Sequence, residues 1–159
     1  MQPEEYIKRM TELSQKKYAL LQEMLIFTRG QTSAIANENI NDLGRLIQNK
    51  QERIDQIDKL DNDFNDCFLR LKQVLKVDKL DEVKEMNIDG VKELQNVIAQ
   101  IMEIAKKISE IEKQNSDELK KLMAATAVEI KKLNQGKAVN NAYKRNQSMA
   151  PSYFIDKKS

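Results

Sequence analysis

Between Ile40 and Leu75, apolar side chains return at alternating steps of three and four: Ile40, Leu43, Ile47, Ile54, Ile57, Phe64, Phe68, Leu71 and Leu75. Lys50 and Asp61 occupy the same register as interruptions, while Leu46, Leu60 and Cys67 broaden the apolar face. An alternation held without a slip for this long is the period of helices packed side by side at small crossing angles. A strand would instead show a two-residue period. The spacing therefore predicts a long helix that needs helical neighbours.

The flanking segments supply them. A first helix is expected over Pro3–Ala36: Pro3 suits a first turn, and Glu4 and Glu5 oppose the positive end of the helix dipole. Its stripe reads Tyr6, Met10, Leu13, Leu20, Met24, Phe27 and Ala34, weakened by Lys17 and Gln31 and widened by Leu21, Leu25 and Ile35. Gly30 predicts a local kink or a slightly early end. In the turn Asn37-Glu38-Asn39, asparagine suits the left-handed residue after a helix end, and Asn39 suits the next cap, with Asp42 at its third position. After a short segment carrying Leu80, Val83 and Met86, Asp89-Gly90 opens a third long helix: Val91, Leu94, Ile98, Ile101, Ala105, Ile108, Asn115, Leu119, Leu122, Thr126, Ile130 and Leu133. The fold class expected is all-α: an elongated antiparallel bundle of three long helices, each about 50–65 Å, plus a short connecting helix. Few breakers fit this, since only 4 Gly and 2 Pro occur in 159 residues.

From Asn134 the pattern stops, so the expected domains are a helical bundle over 1–136 and a flexible C-terminal tail over 137–159. The tail carries Lys137, Lys144, Arg145, Lys157 and Lys158 against Asp156, a net +4 that leaves −2 on the body. Sparse charge without a one-sided basic stripe argues against nucleic acid. No apolar run reaches the ~18 residues of a membrane span, and the acidic start Met1-Gln2-Pro3-Glu4-Glu5 lacks the features of a signal peptide. With a single cysteine, Cys67, a reducing cytoplasm is the simplest setting.

Catalysis finds little support. The chain has no histidine, hence no Cys-His pair and no Glu-x-x-His metal motif, and it has no Gly-rich phosphate loop. No enzyme, metal or cofactor is expected. Cys67, flanked by Phe64 and Phe68, reads as a packing residue. Lys17 and Lys50 read as register-setting or snorkelling side chains. Asn115 is open between register and a functional groove. Met24, Met86, Met102 and Met123 read as core filler. The third long helix has apolar residues to spare, since Ile101, Met102, Ile104, Ile108 and Ile111 wrap much of its circumference. Such a surplus has to meet another subunit, the tail or a client helix.

Four stretches carry a family resemblance: Tyr18-Ala-Leu-Leu-Gln-Glu-Met-Leu25; Ile40-Asn-Asp-Leu-Gly-Arg-Leu-Ile-Gln-Asn-Lys-Gln51; Ile111-Glu-Lys-Gln-Asn-Ser-Asp-Glu-Leu119; and, in the tail, Asn141-Ala-Tyr143 with Ser152-Tyr-Phe-Ile-Asp-Lys-Lys158. In order and spacing the chain resembles the FlgN-like flagellar export chaperones. The resemblance implies a cytosolic chaperone that holds hook-filament junction proteins unpolymerised and brings them to a membrane export gate component. It places client binding toward the C-terminal part and export-gate docking at an aromatic near the end of the last helix, which Tyr143 matches. The partner-binding residues expected are Ile104, Ile108, Ile111, Asn115, Val139, Tyr143, Tyr153, Phe154 and Ile155, in a monomer or homodimer without direct membrane insertion. A structural coiled-coil adaptor, or a helical regulator of a transcription factor, stays open on the stripes alone.

Overall fold

The structure, a computed structural model, describes residues 1–133. These form α1 (Pro3–Ala36), α2 (Ile40–Leu75), α3 (Leu80–Glu85) and α4 (Val91–Leu133), with no strand among the described residues. The chain is an all-α helical bundle. The predicted tail lies outside the described residues.

The links are set by hydrogen bonds at the helix ends. After α1 the Asn39 N–H donates to the Ala34 carbonyl (2.8 Å) and the Glu38 N–H to that of Ile35 (3.1 Å), which is the Schellman pattern. That geometry puts Glu38, not an asparagine, in the left-handed conformation (φ 55). The position is fixed by where the carbonyls must be met rather than by the residue that tolerates it best. Asn39 then caps α2 as expected: its Oδ1 accepts the Asp42 N–H at 3.1 Å, and its Nδ2 donates to the Asp42 carboxylate at 2.9 Å. α2 closes in the same way, with Lys76 left-handed (φ 57) and the Val77 N–H donating to the Lys72 carbonyl.

The chain divides into two compact units. The first comprises Met1–Glu23 and Asp55–Ala105, so it holds the start of α1, the second part of α2, all of α3 and the start of α4. Its core joins Ile7, Met10, Cys67, Leu71, Val83, Val91 and Leu94, with Tyr6, Phe64, Phe68 and Ile98 packed against them. A six-residue helix such as α3 is marginal alone; the wholly buried Val83 ties it to this core. Gly90 caps α4 through its carbonyl, which accepts the Leu94 N–H at 3.0 Å. It has φ 90, and a Cβ there would lie 3.2 Å from Ile7 Cγ2, so only glycine fits without strain. The two stripe interruptions Lys17 and Asp61 meet each other at 2.8 Å. Both stay partly exposed, so the pair contributes at most about 1 kcal/mol.

The second unit comprises Met24–Ile54 and α4 from Lys106 onward. Here α1 and α2 run antiparallel, with Gln31 reaching Lys50 and the Phe27 ring lying 5.2 Å from the Arg53 guanidinium. α4 lies antiparallel to α2 and parallel to α1. Its apolar cluster is smaller: Ala34, Ile35, Leu43, Leu119 and Met123, with Leu46, Ile47 and Leu122 against it. α1 continues straight through Gly30 in its helical hydrogen bonding to Ala36, so the early end does not occur. A Cβ on Gly30 would stand 3.2 Å from Leu46 Cδ1, which shows that this glycine serves close helix approach.

In two respects the α1 stripe differs from expectation. Tyr6, Leu20 and Phe27 are only half-buried, whereas Ile7, Thr11, Ser14 and Thr28, off the stripe, are buried. A straight helix drifts against a seven-residue repeat, and α1 faces two neighbours rather than one. The buried threonines satisfy their hydroxyls locally: Thr11 Oγ1 donates to the Ile7 carbonyl and Thr28 Oγ1 to that of Met24, at 2.8 and 2.7 Å. Of the four methionines expected as core filler, Met24 and Met123 are core, whereas Met86 and Met102 are exposed.

The two helical glycines separate propensity from packing. Nothing lies within 4 Å of a Cβ on Gly44, so Gly44→Ala is expected to stabilise the fold by about 1 kcal/mol, the helix-propensity difference. Gly30→Ala gains less or loses stability, because Leu46 must move. Urea unfolding of both variants measures the order.

Candidate functional site

The second unit holds a feature that the first lacks: a layer of buried polar side chains running across all three long helices. α1 contributes Thr28 and Gln31, with the exposed Thr32 at the edge, α2 contributes Lys50, and α4 contributes Glu112 and Asn115. Helical spacing places them together. Thr28, Gln31 and Thr32 stand three and four apart on one face of α1, and Glu112 and Asn115 stand three apart on one face of α4.

Lys50 is the centre of the layer. Its Nζ donates to Gln31 Oε1 at 2.9 Å and to Glu112 Oε1, so one ammonium ties α2 to both neighbours. The Lys50 and Glu112 side chains are 5% and 9% exposed, so the lysine does not snorkel out. Burial pushes the Lys50 ammonium below its ordinary pKa of 10.5, and the adjacent Glu112 carboxylate only partly offsets this. One turn along α4, Asn115 Nδ2 donates to the Thr28 carbonyl at 3.0 Å. Its Oδ1 accepts from Thr32 Oγ1 at 2.6 Å; the more distant Thr28 carbonyl, at 3.3 Å, is the weaker acceptor for that hydroxyl. No buried side-chain nitrogen or oxygen among the described residues lacks a hydrogen bond. Polar groups arranged in this way select which helix packs here and in which register, because a shifted or wholly apolar helix would leave them unpaired.

The residues expected to bind a partner fall into three groups. Ile104, Ile108 and Asn115 are buried, so in this arrangement they contact the chain's own helices. Ile111 is half-buried. Val139, Tyr143, Tyr153, Phe154 and Ile155 lie outside the described residues. Of the α4 surplus, Met102 is the clearly exposed member at 68%, joined farther along by Val128 at 53%. Glu112 escaped the sequence reading, although it fills the gap of seven between Ile108 and Asn115 in the buried stripe. In the first unit, Lys16, Ala19, Leu20 and Glu23 of α1 with Gln56, Lys59 and Leu60 of α2 line an open groove of about 470 Å³.

Chemistry of other kinds has little footing. Cys67 is buried, and its Sγ–H points to the Tyr6 carbonyl at 3.5 Å. Burial raises its thiol pKa, with Arg9 and Arg70 pulling the other way, so it is a poor nucleophile at neutral pH. Among the described residues no cluster of His, Cys, Asp and Glu could hold a metal ion, and no helix is long and apolar enough to cross a membrane.

Comparison with known proteins adds one finding. The family model described as FlgN protein matches residues 1–151. The segment Ser152–Lys158 lies beyond that span. No curated protein and no solved structure matches the chain.

The polar layer predicts a non-additive mutant cycle. Replacing Glu112 by Leu leaves the buried Lys50 ammonium without its counter-charge and is expected to cost about 3–5 kcal/mol, and Lys50→Met, which takes the ammonium from both Glu112 and Gln31, is expected to destabilise as well. The double variant is expected to recover much of this, and adding Gln31→Leu, which removes the acceptor orphaned with Lys50, to recover more. Lys50 also carries a pH signature. Between its lowered folded pKa and its ordinary value the unfolded chain holds more protons, so this group makes the fold gain stability as pH rises through that window. Denaturant titrations at alkaline pH check that the gain disappears in the double variant.

Proposed function

The chain belongs to the FlgN family, a family of flagellar export chaperones, and we propose that it binds the terminal helical region of hook-filament junction proteins in the cytoplasm. Holding that region keeps the client from assembling prematurely and allows its delivery to the export gate at the membrane. The observation that carries this reading is the family match over residues 1–151, joined to a bundle whose assets are helical faces rather than a reactive centre.

Recognition is by helix packing. Apolar burial supplies affinity, and charged or amide groups at the edge of the contact supply selectivity. Ile111 on α4, with Val139, Tyr143, Tyr153, Phe154 and Ile155 of the basic tail, form the proposed contact set, and Tyr143 is the proposed docking aromatic for the gate. Ile104, Ile108 and Asn115 take part only where α4 exposes its inner face.

Deleting residues 138–159 tests this directly. Circular dichroism of the truncated chain is expected to keep its helical signal, while co-purification of the junction protein is lost. Client binding undiminished by the truncation would refute the assignment of the contact to the tail.

A further inference from the structure

The way α4 is held in the second unit differs along its length from what a permanent core helix requires. From Lys106 onward the buried residues of α4, among those described, are Ile108, Glu112, Asn115, Leu119 and Met123. Two of these five are polar and bound to partners on α1 and α2. A buried ion pair adds little net stability compared with apolar residues of the same shape, because both ions must first be stripped of water. Past Met123, the last α4 member of the cluster among the described residues, the helix continues ten residues to Leu133, about 15 Å.

What lies beneath is a cleft with definite demands. If α4 lifts away, the α1–α2 pair presents Leu43, Ile35 and Ala34 as an apolar floor, with the Lys50 ammonium, the Gln31 carbonyl oxygen, the Thr32 hydroxyl and the Thr28 main-chain carbonyl left in it. A helix returning to this floor must bring a carboxylate to Lys50 and, one turn later, an amide to Thr28 and Thr32. A helix that is apolar at those positions would leave the ammonium unpaired, which works as a penalty against wrong partners.

We propose that the second half of α4 is a displaceable cover, and that the α1–α2 cleft beneath it accepts instead an amphipathic helix of a partner protein. That helix carries a carboxylate and, three residues on, an amide along its buried face. The proposal rests on the helix-binding function above, but it concerns a different surface from the tail. The exchange needs no new fold: the incoming helix meets the same Lys50 and Thr28 groups that Glu112 and Asn115 meet now. It also gives Ile108 and Asn115 a route to the surface, since both are uncovered when α4 lifts.

Two measurements on the full chain test it without any client, so their outcome is independent of the truncation experiment. In the wild-type chain, hydrogen exchange is expected to show amides of residues 106–123 opening at least about tenfold more readily than those of 94–104, as a separate subglobal unit. Exchange of both segments only through whole-molecule unfolding overturns the proposal. The second uses a labelled synthetic peptide of residues 106–129, offered to a full chain loosened by Glu112→Gln so that its tethered α4 competes less. The peptide is expected to bind, and a peptide carrying Glu112→Gln to bind about 30-fold more weakly or worse. No binding, equal binding of the two peptides, or a dimer of the chain that excludes the peptide would each overturn it. Should the loosened chain fail to fold, the exchange experiment on the wild type decides alone.

Discussion

One ammonium group holds three helices to a common register. Lys50 sits where an apolar side chain would be expected, yet it reaches Gln31 on α1 and Glu112 on α4. Because both charges are buried, neither can turn to water when a helix slides, and a slip would strand them at a cost of several kcal/mol. Asn115 repeats the constraint one turn away through Thr28 and Thr32. Apolar contacts alone would let long helices with similar stripes settle into neighbouring registers. The polar layer removes that freedom in the second unit.

The first unit is organised by different means. Its aromatic residues Tyr6, Phe64 and Phe68 surround a fully apolar cluster, α3 is pinned by Val83, and Gly90 lets α4 begin against Ile7. Its one charged stripe pair, Lys17 with Asp61, is half in water and contributes correspondingly little. A hydrophobic unit of this kind is a stable base. A unit closed by satisfied polar groups is more specific for its gain in stability, which suits the proposed recognition of a helical partner.

Much of this was legible from residue spacing. The four helices, the Asn39–Asp42 cap and the packing role of Cys67 follow from periodicity and turn chemistry. The interruptions Lys17, Gln31, Lys50, Asp61 and Asn115 were visible too, but not their pairing, because a one-dimensional register does not say which residues meet across helices. Glu112 was missed because the stripe was followed through Asn115 in a single step of seven; a buried carboxylate becomes evident only once Lys50 is seen to need one. Glu38 took the left-handed turn because backbone hydrogen bonds dictated the position. Three of the four expected partner residues on α4 are apolar, and apolarity on a three-helix bundle marks the interior as readily as an interface, as the burial of Ile104 and Ile108 shows.

Family membership makes the chain a flagellar export chaperone, and the proposal is that it works by holding another helix. The most direct measurement is the identity of what co-purifies with the full-length protein from native extracts, read by mass spectrometry, with the stoichiometry of the complex taken from light scattering. The account predicts a flagellar export substrate of the hook-filament junction type, bound by a monomer or dimer of this chain. Recovery of a large homo-oligomer without such a partner, or of a transcription factor in its place, would contradict it.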